Sequence, residues 1–124
     1  MLQHRLSQQA YMLFFLLLSL VLALGPAMVW GHGPKDITLA YDTGSRTLRV
    51  TLTHTVSNPH KHYIQTVSIT RNGELIATHE YTGQPDSSPF TYTYTIEAEP
   101  GDMIEATADC NYFGSKTGTL TLDK

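Results

Sequence analysis

Three of the six histidines in this 124-residue chain fall within nine residues, in His54-Thr55-Val56-Ser57-Asn58-Pro59-His60-Lys61-His62-Tyr63-Ile64. The single cysteine lies near the C-terminus, in Asp109-Cys110-Asn111-Tyr112-Phe113-Gly114. Neutral imidazole and thiolate are standard ligands for zinc, copper and iron. Brought together, the two stretches would make a mononuclear metal site. His54, His62 and Cys110 are its first candidate ligands, with His60 beside them in sequence and His32 as a further imidazole. Each residue also has a plainer reading. A free cysteine often only fills space in a core, and a single inward histidine is usually a hydrogen-bonded core residue. His60 suits a solvated loop, and His62 a cap on the strand that follows it.

The elements that must position these residues read as strands. Ile37, Leu39 and Tyr41 alternate with polar residues, and so do Leu48, Val50 and Leu52. After the histidine stretch, Tyr63, Val67 and Ile69 alternate up to Asn72-Gly73, a strong hairpin signal because both residues tolerate positive φ. Leu75, Ala77, His79 and Tyr81 share one face of the return strand, which makes His79 structural. Phe90, Tyr92, Tyr94, Ile96 and Ala98 alternate with threonines, as strand chemistry and not as an aromatic binding platform. Ile104, Ala106, Ala108 and Cys110 share a face, and a last strand covers 116–122. No helical period follows residue 31. Seven short strands with turns between them predict an all-β fold, an immunoglobulin-like antiparallel two-sheet sandwich over residues 32–124.

Strand phase then places the chemistry. Successive side chains point to opposite faces. His54 continues the inward series Leu48, Val50, Leu52, and Cys110 continues Ile104, Ala106, Ala108. In an immunoglobulin-like order these are the second and sixth strands, which face each other across the sandwich. An imidazole and a thiol at facing strand ends can meet, provided no bulge shifts the register.

Residues 1–31 stand apart. A polar start with Arg5 leads into an apolar run from Tyr11 to Leu24, broken by Gly25 and Pro26. This is the layout of a secretory signal peptide, with cleavage expected after Ala27 or Gly31. The domain is then exported, periplasmic or extracellular, and touches a membrane only through an uncleaved signal segment. The net charge of −3, with acids and bases mixed along the chain, excludes a nucleic-acid partner of the basic-patch kind. One cysteine cannot form an internal disulfide.

His54, then His62-Tyr63-Ile64, then Cys110-Asn111-x-x-Gly114, preceded by His32-Gly33-Pro34, resembles the iron-binding domain of the superoxide reductase family (desulfoferrodoxin and neelaredoxin). The order of the elements is kept over the whole of 32–124. The resemblance implies an immunoglobulin-like sandwich and a mononuclear non-haem iron held by imidazoles, with a thiolate opposite an open position. It also implies one-electron reduction of superoxide and an electron donor protein as partner. Residue by residue it carries over to His32, His54, His62 and Cys110. Phe113 stands where the family has its last histidine, so one imidazole is missing, and His60 is the nearby residue that could replace it. The interval from His54 to His62 is two residues longer than usual. Trp30-Gly31 replaces the family's Glu-Lys pair, whose lysine serves superoxide.

Two other classes fit parts of the chain. Asn72-Gly73, Pro89 to Ile96 and Gly101-Asp102 resemble the small immunoglobulin-like subunit of the thiosulfate-oxidising carrier complex, a binding subunit and not an enzyme. Copper is the alternative metal. Cleavage after Gly31 would expose the His32 α-amine and imidazole, and nitrogen-rich square-planar sites favour Cu(II).

Overall fold

In the computed structural model, residues 2–23 and 32–124 are described, with side chains for 3–16 and 32–124. The expected cleavage positions after Ala27 and Gly31 lie outside the described residues. Leu2–Ala23 form one α-helix, α1, whose side chains from Leu6 to Leu16 are exposed. Its leucine-rich run favours helix. Met1–Trp30 and Gly31–Lys124 are separate compact units. Among the described residues no helix is long and apolar enough to cross a membrane.

Every alternating run of the second unit is a strand. They are β1 (Asp36–Asp42), β2 (Thr47–Thr53), β3 (Ile64–Arg71), β4 (Glu74–Glu80), β5 (Phe90–Thr95), β6 (Met103–Cys110) and β7 (Ser115–Thr121). All pair antiparallel, in one sheet of order β1-β2-β5 and another of order β4-β3-β6-β7. This is the immunoglobulin-like sandwich that the periodicity predicts. The β3–β4 hairpin turns on Asn72 and Gly73, at φ 53° and 84°.

The core is the inward half of each period. Leu48, Val50, Leu52, Ile64, Val67, Ile69, Ile104, Ala106 and Ala108 are fully buried between the sheets. Each of the larger side chains contributes about 1.5–3 kcal/mol by leaving water. Aromatic rings on β4 and just past its end reach across to β5 in the other sheet. Tyr81 stacks on Tyr92 at 4.3 Å, His79 stacks on Tyr94 at 4.4 Å, and the Tyr81 and Tyr94 hydroxyls share a 2.7 Å hydrogen bond.

Two details depart from simple alternation. A register shift between Ile64 and Thr66 puts both Ile64 and Val67 inward, three residues apart, so Ile64 is the buried residue and Tyr63 is half-buried. A second shift between Ile69 and Thr70 turns the start of β4 over. Leu75 is exposed while Ile76 and Ala77 pack on the core. His79 is exposed, and its structural role is the stack on Tyr94 rather than a place on an apolar face.

Candidate metal centre

His54, His62 and Cys110 meet at one end of the sandwich, where β2 ends, β3 begins and β6 ends. One ligand atom from each lies within 4.8 Å of the other two. His62 Nε2 is 3.0 Å from Cys110 Sγ. The rings of His54 and His62 stand 4.9 Å apart, nearly perpendicular. Neither β2 nor β6 is bulged on the way to the site, so the inward phase carries through to His54, fully buried, and Cys110, 5% exposed.

His54 lies one residue past the β2 ladder, and the loop between β4 and β5 satisfies it. Its backbone N–H donates to Ser88 Oγ at 2.9 Å, and its carbonyl accepts from Gln84 Nε2 at 2.8 Å. Gln84 Oε1 accepts from the Ile64 N–H at 3.1 Å and faces His54 Nδ1 at 2.7 Å. The two backbone bonds fix which way the Gln84 amide points. Nδ1 must therefore carry the proton, and Nε2 is the nitrogen left to act as a ligand. An outer partner that orients a ligating imidazole in this way is the usual companion of a metal site.

His62 is held from both sides. Its N–H closes a turn onto the Asn58 carbonyl at 2.8 Å. Asn111 accepts from the Tyr63 N–H and donates to the Lys61 carbonyl, both at 2.9 Å, clamping the chain on either side of His62. The turn after β6 closes with Cys110 N–H donating to the Gly114 carbonyl. Tyr112 lies flat on the His62 ring, 4.6 Å away. Burial, and then the neighbouring His54 ring, hold His62 below its ordinary pKa; the main-chain carbonyl of His32 works the other way, and the His32 ring adds to the lowering. The lowered value favours the neutral imidazole, the form that binds metals.

His32 is exposed, yet its ring lies 5.4 Å from that of His54 and 5.3 Å from that of His62. Its Nδ1 donates to the Gly33 carbonyl at 3.3 Å. Its own carbonyl oxygen sits 2.9 Å from His54 Nε2. His60 is not gathered with the others: it is exposed, outside the trio, and its N–H caps the loop on Asn58 Oδ1. Phe113 is 71% exposed and offers no ligand.

The residues present fit a metal. Bonds of about 2.0–2.1 Å from nitrogen and about 2.3 Å from sulfur put two donors at right angles on one ion roughly 3 Å apart, and two opposite donors roughly 4.4 Å apart. The separation of His62 from Cys110 matches the first figure, and the span of the trio lies near the second. Gln84 and Ser88 carry no signal in the sequence, since they sit in a loop without period, 30 and 34 residues from the histidine they hold.

No family model matches the chain, and no curated protein matches it in sequence. Among solved structures, a superoxide reductase (1Fe-SOR) from Giardia intestinalis aligns over 68% of this chain and 96% of its own, with a TM-score of 0.46 and 17% identity. A superoxide reductase (neelaredoxin) from Ignicoccus hospitalis aligns over 82% of this chain and 88% of its own, with a TM-score of 0.50 and 17% identity. The likeness to the Ignicoccus protein is one of fold: residues 32–124 form a β-sandwich of the superoxide-reductase kind, with His54, His62 and Cys110 gathered at one end.

Proposed function

We propose that this is an exported domain that binds a single metal ion, iron before other metals, through His54, His62 and Cys110. It would work as a superoxide-reductase-like one-electron module, with superoxide as the substrate or another redox protein as the acceptor. The observation that carries the reading is the convergence of two imidazoles and the only thiol on one point, with an outer glutamine that frees one nitrogen of the buried ring. The likeness of fold favours iron.

Iron held there would supply a one-electron ferrous–ferric couple, which balances the reduction of superoxide by one electron and two protons to hydrogen peroxide. The chain's own residues set the conditions. Cys110 would provide a sulfur donor, as thiolate once a metal displaces its proton. Gln84 keeps the His54 proton on Nδ1. Tyr112 covers one face of His62, and the exposed side is open to a small anion and to an electron donor protein. Phe113 leaves the donor set one imidazole short of the family pattern, so electron transfer is the reading that asks least of the site. Export rests on the apolar run Tyr11 to Leu24 and on the exposed apolar side chains of α1. It predicts a mature chain beginning between Met28 and His32, which intact-mass measurement checks; a full-length mass in the membrane fraction would contradict it.

The deciding experiment is metal analysis of protein purified from its native compartment, followed by superoxide consumption under a chemical reductant. Iron near one per chain, with superoxide consumed without release of dioxygen, is the expected result. Copper would favour the His32 amine site. Absence of any metal would leave an immunoglobulin-like binding subunit.

A further inference from the structure

We infer that the strap His32-Gly33-Pro34 belongs to the metal centre through its main chain: the carbonyl oxygen of His32, and not its ring, is the donor beside His54, His62 and Cys110. The inference rests on the metal-binding reading above and names a ligand that the sequence did not offer.

The argument begins at His54. Its Nδ1 proton is committed to Gln84, so Nε2 presents a lone pair unless a second proton sits there. Facing it at 2.9 Å is the His32 carbonyl oxygen, also an acceptor. Two acceptors at that distance repel unless a cation lies with them, either a proton on Nε2 or a metal ion bound by both. The ring of the residue that carries this carbonyl lies 5.3 Å from that of His62, so the strap passes beside both imidazoles. The His32 ring is exposed, outside the trio, and bonded to its own strap.

The strap is built to hold that oxygen in place. Gly33 and Gly114 touch backbone to backbone. A Cβ on Gly33 would stand 2.8 Å from the Gly114 carbonyl carbon and 2.9 Å from the Ser115 nitrogen, and one on Gly114 would stand 2.7 Å from the Gly33 nitrogen. No side chain fits at either position, and Gly114, at φ +91°, also needs the freedom of glycine. Pro34 is buried, and the Lys35 N–H donates to the Thr53 carbonyl at 2.7 Å. The turn that carries Cys110 and the strap that carries the His32 carbonyl are thus packed on one another. The carbonyl stays with the mature domain whether the signal is cut after Ala27 or after Gly31.

His32 is the only histidine followed by glycine. Labelling histidine carbonyl carbons and glycine nitrogens with their magnetic isotopes therefore leaves a single resonance for this carbonyl in a carbonyl–amide correlation spectrum. Zinc titrated into the metal-free full chain should move it downfield, with the change complete at one ion per chain, and Cys110→Ser should abolish the movement. A resonance that stays put, or moves upfield because the oxygen only loses its bond from His54, while zinc binds, overturns the inference and leaves the metal site standing. A wild-type chain that takes up no zinc overturns both. As an independent arm, Gly33→Ala should weaken zinc binding by roughly 10- to 100-fold while the metal-free variant keeps the wild-type β circular-dichroism spectrum; unchanged affinity in the folded variant overturns the inference.

Discussion

The two ends of the sandwich are built from the same strands and treat their polar groups in opposite ways. At the far end, β1, β3 and β5 finish around a polar cleft of about 600 Å³ lined by residues such as Arg46, Arg71, Asn72, Glu97 and Asp102. There the side chains close on each other and on the turns. Arg46 pairs with Glu97 at 2.9 Å, and Arg71 donates to the Glu97 carbonyl. Asn72 donates to Asp102 and accepts from the Met103 N–H, and Asp102 accepts from the Glu99 N–H. Those backbone and side-chain bonds hold the Asp102 carboxyl below the usual carboxylate range. At the near end the donors are left facing one another: an imidazole against a thiol, and a ring nitrogen against a carbonyl oxygen. The first arrangement is that of turns being held, and the second brings together groups that a shared cation would reconcile.

The largest expected contrast comes from removing a ligand. Cys110→Ser should lower metal affinity by more than the roughly 100-fold that marks the upper range for an outer partner, measured by competition with a chelator of known affinity. A smaller loss would mean that Cys110 is only a space-filling core residue. Gln84→Ala comes next. It should weaken metal binding by about 10- to 100-fold. It should also cost the metal-free protein roughly 1–3 kcal/mol, because the buried Ile64 N–H and His54 Nδ1–H lose their acceptor. Metal titration and urea unfolding check the two parts separately.

The far end should behave in the reverse sense. Asn72→Ala removes the side-chain bonds of the hairpin turn and places alanine at φ 53°, which should cost about 1–2 kcal/mol in urea unfolding with metal affinity unchanged. The smallest effect lies between the ends, in the aromatic staple. Burial, and then the adjacent Tyr81, push Tyr92 up from 10.0 to about 12. Burial, with the Tyr81 hydrogen bond, pushes Tyr94 higher still. A folded value above the unfolded one gives stability that is fully present below about pH 10 and is lost as pH rises through about 12. Tyr92→Phe should therefore flatten the fall of the urea midpoint over that range and leave metal binding untouched; an unaltered pH profile would contradict the assignment.

Where the chain is regular, the sequence carried the structure. Period-two alternation in β2 and β6 runs unbroken to His54 and Cys110, so both inward placements followed from phase, and their meeting across the sandwich from phase together with the immunoglobulin-like strand order. Bulges are where phase misled: Ile64 and not Tyr63 turns inward, and Leu75 turns out, because one extra residue in a strand reverses every side chain beyond it. The supports of the site were out of reach for a different reason. Gln84 and Ser88 lie in an aperiodic loop, Tyr112 finds the His62 face across 50 residues, and the His32 oxygen is a main-chain atom that residue type does not announce. His60, the nearest histidine in sequence, is separated from the trio by the Asn58 turn that carries His62 inward.

Because Cys110 is the only cysteine, one spectrum tests the central claim. Cobalt(II) added to the metal-free wild-type chain should give an intense thiolate-to-metal charge-transfer band in the near ultraviolet, reaching its limit at one equivalent and disappearing in Cys110→Ser. A wild-type titration in which cobalt binds without that band, or does not bind at all, would contradict a metal centre built on His54, His62 and Cys110.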